Sequence, residues 1–388
     1  MSHAGLDLRT PSAPTAPALP PTFRRWQSAA YGPPSVLSLQ ECKTADFLPR
    51  KGELLLRVLA TDATYTDLLV VAGNYPNPAV KHLPVCPGYD CAAEVAAVGE
   101  GVAAGAFSVG DVVISMPLCG CCAEFVRVDA RHAVRVAAAA GAAFVRARPE
   151  VAASLALTGA TAYQMLHRVV GPKRLAQPDA ALLVHAASGG TGAMLVQLAK
   201  LAGVSPQRIV GTCSKANLES VRALGVHAVA YDDSEGGGWA AKARAAVGGA
   251  GFSAVCDSVC TSDYFSKGIS LLRSGGVYVA IGFTDKTNPG VISTWTALPT
   301  VLMLLFRSAI LHSIFGLSNA VFYLVNEERD KRPAAFGEDM AALVELAASG
   351  KLEVVVGKTW DFEEASSALK SIAAGSHRGK QMIRVAAP

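Results

Sequence analysis

Charge is scarce in this sequence: Asp, Glu, Lys and Arg make up only 17% of 388 residues, the net charge is +4, and no run of five like charges occurs. Phosphate backbones are bound by clustered cations, so a nucleic acid is excluded as first-choice partner. With hydrophobic residues at 51%, the chain is not a disordered one. The dense cysteine pairing of a small secreted scaffold is also missing. Nine cysteines are scattered at 42, 86, 91, 119, 121, 122, 213, 256 and 260, which suits a reducing compartment. The first 22 residues are rich in Ala, Pro, Ser and Thr and lack the apolar core of a secretory signal. They read as a disordered tail; a cytoplasmic location is expected, with organellar import as the alternative. No apolar run reaches the roughly 18 to 20 residues a spanning helix needs. The densest stretch, 301–306 within 297–325, runs into Arg307, and His312, Ser313, Ser318 and Asn319 interrupt the remainder. It reads as a buried helix followed by a strand, or as a subunit or membrane-surface contact.

The length suits about two domains. Short apolar runs at 53–59, 91–98, 109–115 and 123–128, broken by Gly, Pro or Asp, indicate a small β-rich unit. After Pro149, strand-like runs at 181–185, 209–212, 254–257 and 277–281 alternate with helical periods at 193–202, 218–224 and 264–272. Such alternation predicts an α/β fold with a doubly wound parallel sheet. A helical period comes next at 338–348, then strand-like segments at 353–356 and 381–385.

The strongest local signal is Leu182-Leu183-Val184-His185-Ala186-Ala187-Ser188-Gly189-Gly190-Thr191-Gly192-Ala193, a strand entering a Gly-rich turn that opens an amphipathic helix. It is the dinucleotide fingerprint with Ala187 at the first glycine, Gly189 at the second and Gly192 at the third. Gly189 would admit a pyrophosphate to the backbone, and Gly192 would let helix and strand pack closely. At the end of the next strand, where an NAD site offers an acid to the ribose, Cys213-Ser214-Lys215 stands instead. A hydroxyl and a cation suit a 2′-phosphate, favouring NADPH; the plainer alternative is that Lys215 is a solvated loop lysine.

Further blocks extend this pattern: Pro87-Gly88-Tyr89-Asp90, Val98-Gly99-Glu100-Gly101-Val102, Gly110-Asp111-Val112-Val113, Leu157-Thr158-Gly159-Ala160-Thr161-Ala162-Tyr163, Leu224-Gly225 before Tyr231-Asp232, Cys256-Asp257-Ser258-Val259, and His377-Arg378-Gly379-Lys380. From about residue 23 onward the chain resembles the medium-chain dehydrogenase/reductase superfamily, in its zinc-independent quinone oxidoreductase-like branch. The resemblance implies a GroES-like β-barrel catalytic domain interrupted by a Rossmann domain: a tail over 1–22, the barrel over 23–155, the Rossmann domain over 156–330, and a segment 331–388 completing both. It further implies Thr161 beside the nicotinamide, Ser188, Gly189, Gly190, Thr191 and Gly192 at the pyrophosphate, and Ser214, with Lys215, and Tyr231 near the adenosine phosphate. Val259 and Cys260 would lie under the adenine, Gly282 and Phe283 near the carboxamide, and His377, Arg378 and Gly379 over the cofactor. A homodimer is expected by the same analogy.

Where the zinc-containing branch has Cys and a His-Glu pair, this chain has Thr64, Tyr89 and Asp90. A threonine and a tyrosine do not replace a thiolate and an imidazole, and Cys119-Gly120-Cys121-Cys122 is too tightly spaced for a usual zinc site. Without a Lewis acid, the substrates that remain are small molecules needing only hydride and a hydrogen bond to the developing oxyanion: quinones and α,β-unsaturated carbonyls. Thr64, Tyr65 and Tyr75 are the candidate hydroxyls. The branch commonly has Asn at Thr64 and a tyrosine at Leu69, so a fixed donor is less firmly marked; Tyr75 reads equally as a turn-packing residue. The rival reading is a catalytically weak, nucleotide-binding membrane-associated or regulatory protein. The apolar 301–325 region and Arg332-Pro333-Ala334-Ala335-Phe336 to Asp339 resemble vesicle amine transport protein-like members of the superfamily.

Overall fold

The computed structural model describes residues 19–233, 238–282, 320–375 and 379–386. The described residues begin inside the expected tail. The Pro21 carbonyl accepts from Thr44 N–H, Leu19 packs near Phe23, and a strand opens at Thr22, because Phe23 has an aromatic pocket (Phe47, Phe125) to fill.

Five strands of the first half and two from the end of the chain form one seven-stranded sheet beside a hairpin. The hairpin pairs β1 (Thr22–Gln27) with β2 (Ser38–Lys43). The sheet holds β3 (Glu53–Ala63), β4 (Cys91–Val98), β5 (Val112–Ser115), β6 (Phe125–Asp129) and β7 (Ala133–Arg135). Nearly every residue of β3 is buried, as its continuous apolar run requires of a strand covered on both faces. On one side it pairs with β4; on the other, β6 takes its first half and a strand from the far end of the chain takes its second.

A helix made of four segments then leads out of the barrel: Pro149–Ser154, Leu155–Gly159, Ala160–Gln164 and Met165–Val170. The second and fourth segments are π-helical, a widened turn that recurs at functional sites. Gly171 ends the run with φ 84° and Pro172 prevents its continuation.

The second sheet comprises β8 (Leu182–Val184), β9 (Ile209–Cys213), β10 (His227–Ala230), β11 (Phe252–Asp257), β12 (Leu272–Ala280) and β13 (Ala320–Phe322). Its order is β10-β9-β8-β11-β12-β13, every pairing parallel. Counted from β8 this is the 3-2-1-4-5-6 order of a doubly wound Rossmann sheet, with its switch point between β8 and β11. The chain closes with β14 (Val356–Asp361) and β15 (Lys380–Arg384), and β15 is the strand that pairs with β3. The parallel sheet is therefore inserted into the GroES-like one. The strand expected at 353–356 starts only at Val356, since β14 is an exposed edge ordered by pairing with β15 and not by an apolar period.

Helix Pro333–Ala348 is tied to the segmented helix through one buried acid. Asp339 accepts from Gln164 Nε2 (2.6 Å) and from Arg168 Nε and Nη2 (2.7 Å each), and Tyr323 donates to Gln164 Oε1. Of the 332–339 segment, Phe336 and Asp339 are buried in this packing, while Arg332, Pro333, Ala334 and Glu338 remain exposed. Asp339→Ala leaves the guanidinium and amide without their acceptor, so a loss of about 2–4 kcal/mol in unfolding free energy is expected in denaturant titrations. The apolar stretch at 301–319 lies outside the described residues. Among those described, no helix is long and apolar enough to cross a membrane.

Candidate functional site

The Gly-rich turn leaves β8 at the switch point of the sheet. His185 N–H donates to Cys256 O and Ala187 N–H to Thr212 O, both at 2.9 Å, which fixes the turn between its two neighbouring strands. The left-handed residue is Ala186, with φ 53°. Helix Gly190–Leu201 begins with Gly189 as its cap, and its first bond, Ala193 N–H to Gly189 O, leaves the N–H groups of Gly190, Thr191 and Gly192 without a partner among the described residues, open to a ligand or water. Gly192 has no room for a side chain: a Cβ would lie 2.3 Å from Ala186 O and 2.7 Å from Ala187 Cα. At Gly189, among the described residues, only Ala186 O, at 3.2 Å, comes within 4 Å of such a Cβ. Gly189 is exposed, with Ser188, Gly190 and Thr191 half-buried around it. An open, N–H-lined turn with close helix–strand contact beneath it fits a dinucleotide pyrophosphate.

Around the turn stand the other residues expected near the adenosine. Ser214 caps the 3₁₀ turn after β9, and Lys215 is exposed, its backbone N–H bonded to Asp232 Oδ1 at 2.8 Å. Tyr231 N–H donates to Cys213 O, bringing the end of β10 to the same loop. Val259 and Cys260 are held by Asp257, whose Oδ1 accepts from their N–H groups at 2.7 and 3.0 Å while Tyr278 OH donates to its Oδ2. His185 is wholly buried among Trp239 and Tyr264 (ring centroids 4.8 and 4.7 Å), its Nδ1 2.9 Å from Thr212 Oγ1. Burial lowers its pKa, so the ring is neutral near pH 7.

Thr161 is buried in the segment Ala160–Gln164, between the two π-helical segments. Gly282 follows β12 at φ 62°, and among the described residues nothing comes within 4 Å of where a Cβ would stand. Gly379 has a packing reason of its own: a Cβ would meet Val355 O at 2.5 Å. Phe283, His377 and Arg378 lie outside the described residues.

The three candidate hydroxyls separate. Thr64 caps helix Tyr65–Val71; its Oγ1 accepts from Asp67 N–H and donates to Asp67 Oδ2 at 2.7 Å, so the hydroxyl is engaged within the fold. Tyr65 packs on the outer barrel cluster with Trp26 and Leu39. Tyr75 packs instead on the cluster shared with the Rossmann half, and its hydroxyl lies 2.8 Å from that of Tyr89. Leu69 is buried.

Tyr89 was expected only as a failed zinc ligand; the structure makes it the partner of Tyr75, at ring centroids 5.8 Å apart. Burial raises both phenol pKa values, Tyr89 the more, and the Arg329 guanidinium opposes the shift at both. Arg329 is itself buried, donating to Met116 O and paired with Asp330 Oδ1 at 2.7 Å. No local motif marked it, because Arg329 arrives from helix Val325–Lys331, distant in sequence. The donor set at the zinc positions is thus a capping hydroxyl, a phenol bonded to another phenol and a carboxyl, which does not suit zinc. Cys121 and Cys122 are buried, their backbones bonded to Gly88 and Pro87. Among the described residues, no group of three or more His, Cys, Asp or Glu side chains is placed to hold a metal ion.

Comparison with known proteins agrees with this architecture. Residues 50–161 match the family described as alcohol dehydrogenase GroES-like domain, and residues 224–383 the one described as zinc-binding dehydrogenase. The polyketide synthase component PikAII of Streptomyces venezuelae is 29% identical over 86% of this chain, which covers 8% of that protein. The chain spans 8–9% of the length of PikAII and two further curated synthases it matches. Among solved structures, the quinone oxidoreductase of Escherichia coli complexed with NADPH superposes with a TM-score of 0.72 at 22% identity, over 93% of this chain and 100% of that one. The CurK enoyl reductase gives 0.71 at 22%, over 94% and 99%. From its two family matches and the order of its sheets, the chain belongs to the medium-chain dehydrogenase/reductase superfamily of oxidoreductases, with the fold of the zinc-independent quinone oxidoreductase-like branch.

Proposed function

We propose that this chain is an NADPH-dependent reductase of quinones or α,β-unsaturated carbonyls that works without zinc. The observation that carries the reading is the Tyr75–Tyr89 phenol pair, in which Tyr89 stands where the zinc-containing branch has a ligand and both rings pack in the apolar cluster running into the Rossmann half. The free N–H groups of Gly190, Thr191 and Gly192 would hold the pyrophosphate, with Ser188 and Gly189 at the turn's open edge. Ser214 and Lys215 would receive the 2′-phosphate, Tyr231, Val259 and Cys260 would border the adenosine, and Thr161 and Gly282 the nicotinamide. When bound, the dinucleotide supplies the hydride. Tyr75 then donates a hydrogen bond to the oxygen that gains charge, Tyr89 holds Tyr75 in position, and the Arg329 field favours that charge. A small neutral acceptor fits such a site, and a homodimer is the assembly we propose by family analogy.

Two measurements test this. Nicotinamide oxidation is expected with quinones and enones, unchanged by a chelator, and no reduction of NADP+ with plain alcohols; turnover confined to alcohols would overturn the reading. Lys215→Ala is expected to weaken NADPH about tenfold and leave NADH within a factor of two, since only the 2′-phosphate contact is removed.

A further inference from the structure

Three aspartates and one lysine meet where the barrel, the segmented helix and the Gly-rich turn come together. Asp62, Asp67 and Asp90 are at most 1% exposed and Lys380 is 8% exposed. Lys380, opening β15, pairs with Asp62 of β3 and donates to Thr158 Oγ1 at 2.9 Å. Its methylene stem runs alongside the Gly-rich turn: a Cβ on Gly190 would lie 2.6 Å from Lys380 Cδ.

The carboxylates are unequally served. Asp67 receives three donors, Thr64 N–H (2.9 Å), Thr64 Oγ1 (2.7 Å) and Gly88 N–H (2.8 Å). Among the described residues, Asp90 receives only Leu157 N–H, at 2.8 Å on Oδ2; its Oδ1, like Oδ1 of Asp62, receives no hydrogen bond from them. Were all four groups ionised, two negative charges would remain uncompensated out of contact with water, a state that a buried site avoids by binding a proton. Burial pushes Asp67 up too, but its three donors and Lys380 oppose that shift, so the proton falls to the less well served Asp62 and Asp90. Burial is the main cause of the upward shift at both. It takes Asp62 to about 6 against the pull of Lys380, and Asp90 well above its ordinary value with Asp62 adding to the effect. The titratable groups facing the pair are Lys380, Asp67, Tyr89 and the Cys121 thiol with Cys91 beside it.

We propose that dinucleotide binding at the Gly-rich turn is coupled to uptake of one proton from solvent by the Asp62–Asp90–Lys380 cluster. The inference rests on the nucleotide-site reading above. Phosphates placed at the N–H groups of Gly190 to Gly192 bring negative charge beside the Lys380 stem. Whether the ammonium is drawn toward them or only screened from Asp62, the aspartate pair loses its compensation and binds a proton supplied by the buffer. Lys380 is thus a positioning residue whose charge links the turn to the barrel.

Calorimetric titration of NADPH into the full chain near pH 7, in two buffers of different ionisation heat, counts the protons. The wild type is expected to take up about half a proton or more per site beyond Asp62→Asn, which keeps an acceptor for Lys380 but cannot titrate. Its NADPH affinity should weaken roughly fivefold more between pH 6.5 and 8.5 than that of the variant. Ionisation of the ligand's own phosphate is common to both and cancels. Asp90→Asn provides the same comparison should Asp62→Asn fail to fold. Normal binding with equal proton counts in wild type and variant overturns the proposal; absence of NADPH binding by the wild type overturns the nucleotide-site reading instead.

Discussion

Gly189→Asp is expected to abolish NADPH binding, at least a hundredfold loss or about 2.7 kcal/mol, while leaving the melting temperature unchanged or slightly raised. Gly189 caps helix Gly190–Leu201 with φ −80° and ψ 166°, a conformation any residue adopts, and among the described residues a Cβ there meets only Ala186 O, at 3.2 Å, a tight contact that a shift of a few tenths of an ångström relieves. Aspartate is among the best residues for that cap, since its carboxylate accepts from the first free N–H groups and suits the helix dipole. The same carboxylate occupies the anion position and repels the pyrophosphate. Gly192→Ala makes the contrast. Its Cβ would stand 2.3 Å from Ala186 O, so the turn must shift and both binding and stability fall, the latter by roughly 1–3 kcal/mol. Isothermal titration alongside thermal melts distinguishes the two. NADPH affinity unchanged in Gly189→Asp would remove the turn from the cofactor site.

Tyr75→Phe is expected to lower kcat about a hundredfold, with KM and NADPH affinity within a factor of three. The lost group is a proton donor, and general acids of this kind contribute about 10²–10⁴. Ring packing is kept, because the phenylalanine preserves the edge-on contact with Tyr89. Tyr89→Phe should cost less, about tenfold, as it removes only the partner that orients Tyr75. The pH profile is set by the direction of the shifts. Burial raises both phenols above the usual value near 10, so the protonated donor persists and kcat should not fall from this cause below about pH 9. Equal kcat in wild type and Tyr75→Phe would move the donor elsewhere, to a water or to a residue outside those described.

What could be read from the sequence was what lies together along it. β3 and β4 were visible because each is a nearly continuous apolar run, and the Gly-rich turn because strand, turn and helix start occupy twelve consecutive residues. β1 and β2 escaped notice: they are mostly half-buried or exposed, and ion pairs such as Arg24–Glu124 hold β1 where an apolar alternation would have marked it. The segmented helix 149–170 was missed as a helix because its π-helical segments shift the apolar period between one turn and the next. Helix Ala365–Ala374 is rich in small residues and carries few large apolar side chains to reveal its period. The same limit applies at the site. Tyr89 could be recognised as a non-ligand, but its contact with Tyr75 depends on how the Pro87–Gly88 turn lies against Cys121 and Cys122. Lys380 and Asp62 stand near opposite ends of the chain, and only the return of β15 to β3 brings them into contact.

The most direct measurement is titration of the purified chain with NADPH and NADH, monitored through intrinsic tryptophan fluorescence, to which Trp239 contributes with its ring stacked on Tyr264 beside the buried His185 behind the turn. A quinone or enone is then added to the same cuvette. The account predicts saturable quenching with NADPH bound more tightly than NADH, and then acceptor-dependent loss of the nicotinamide absorbance. Absence of saturable binding by either nucleotide would contradict it, and tight NADPH binding without turnover of any acceptor would contradict the role given to Tyr75.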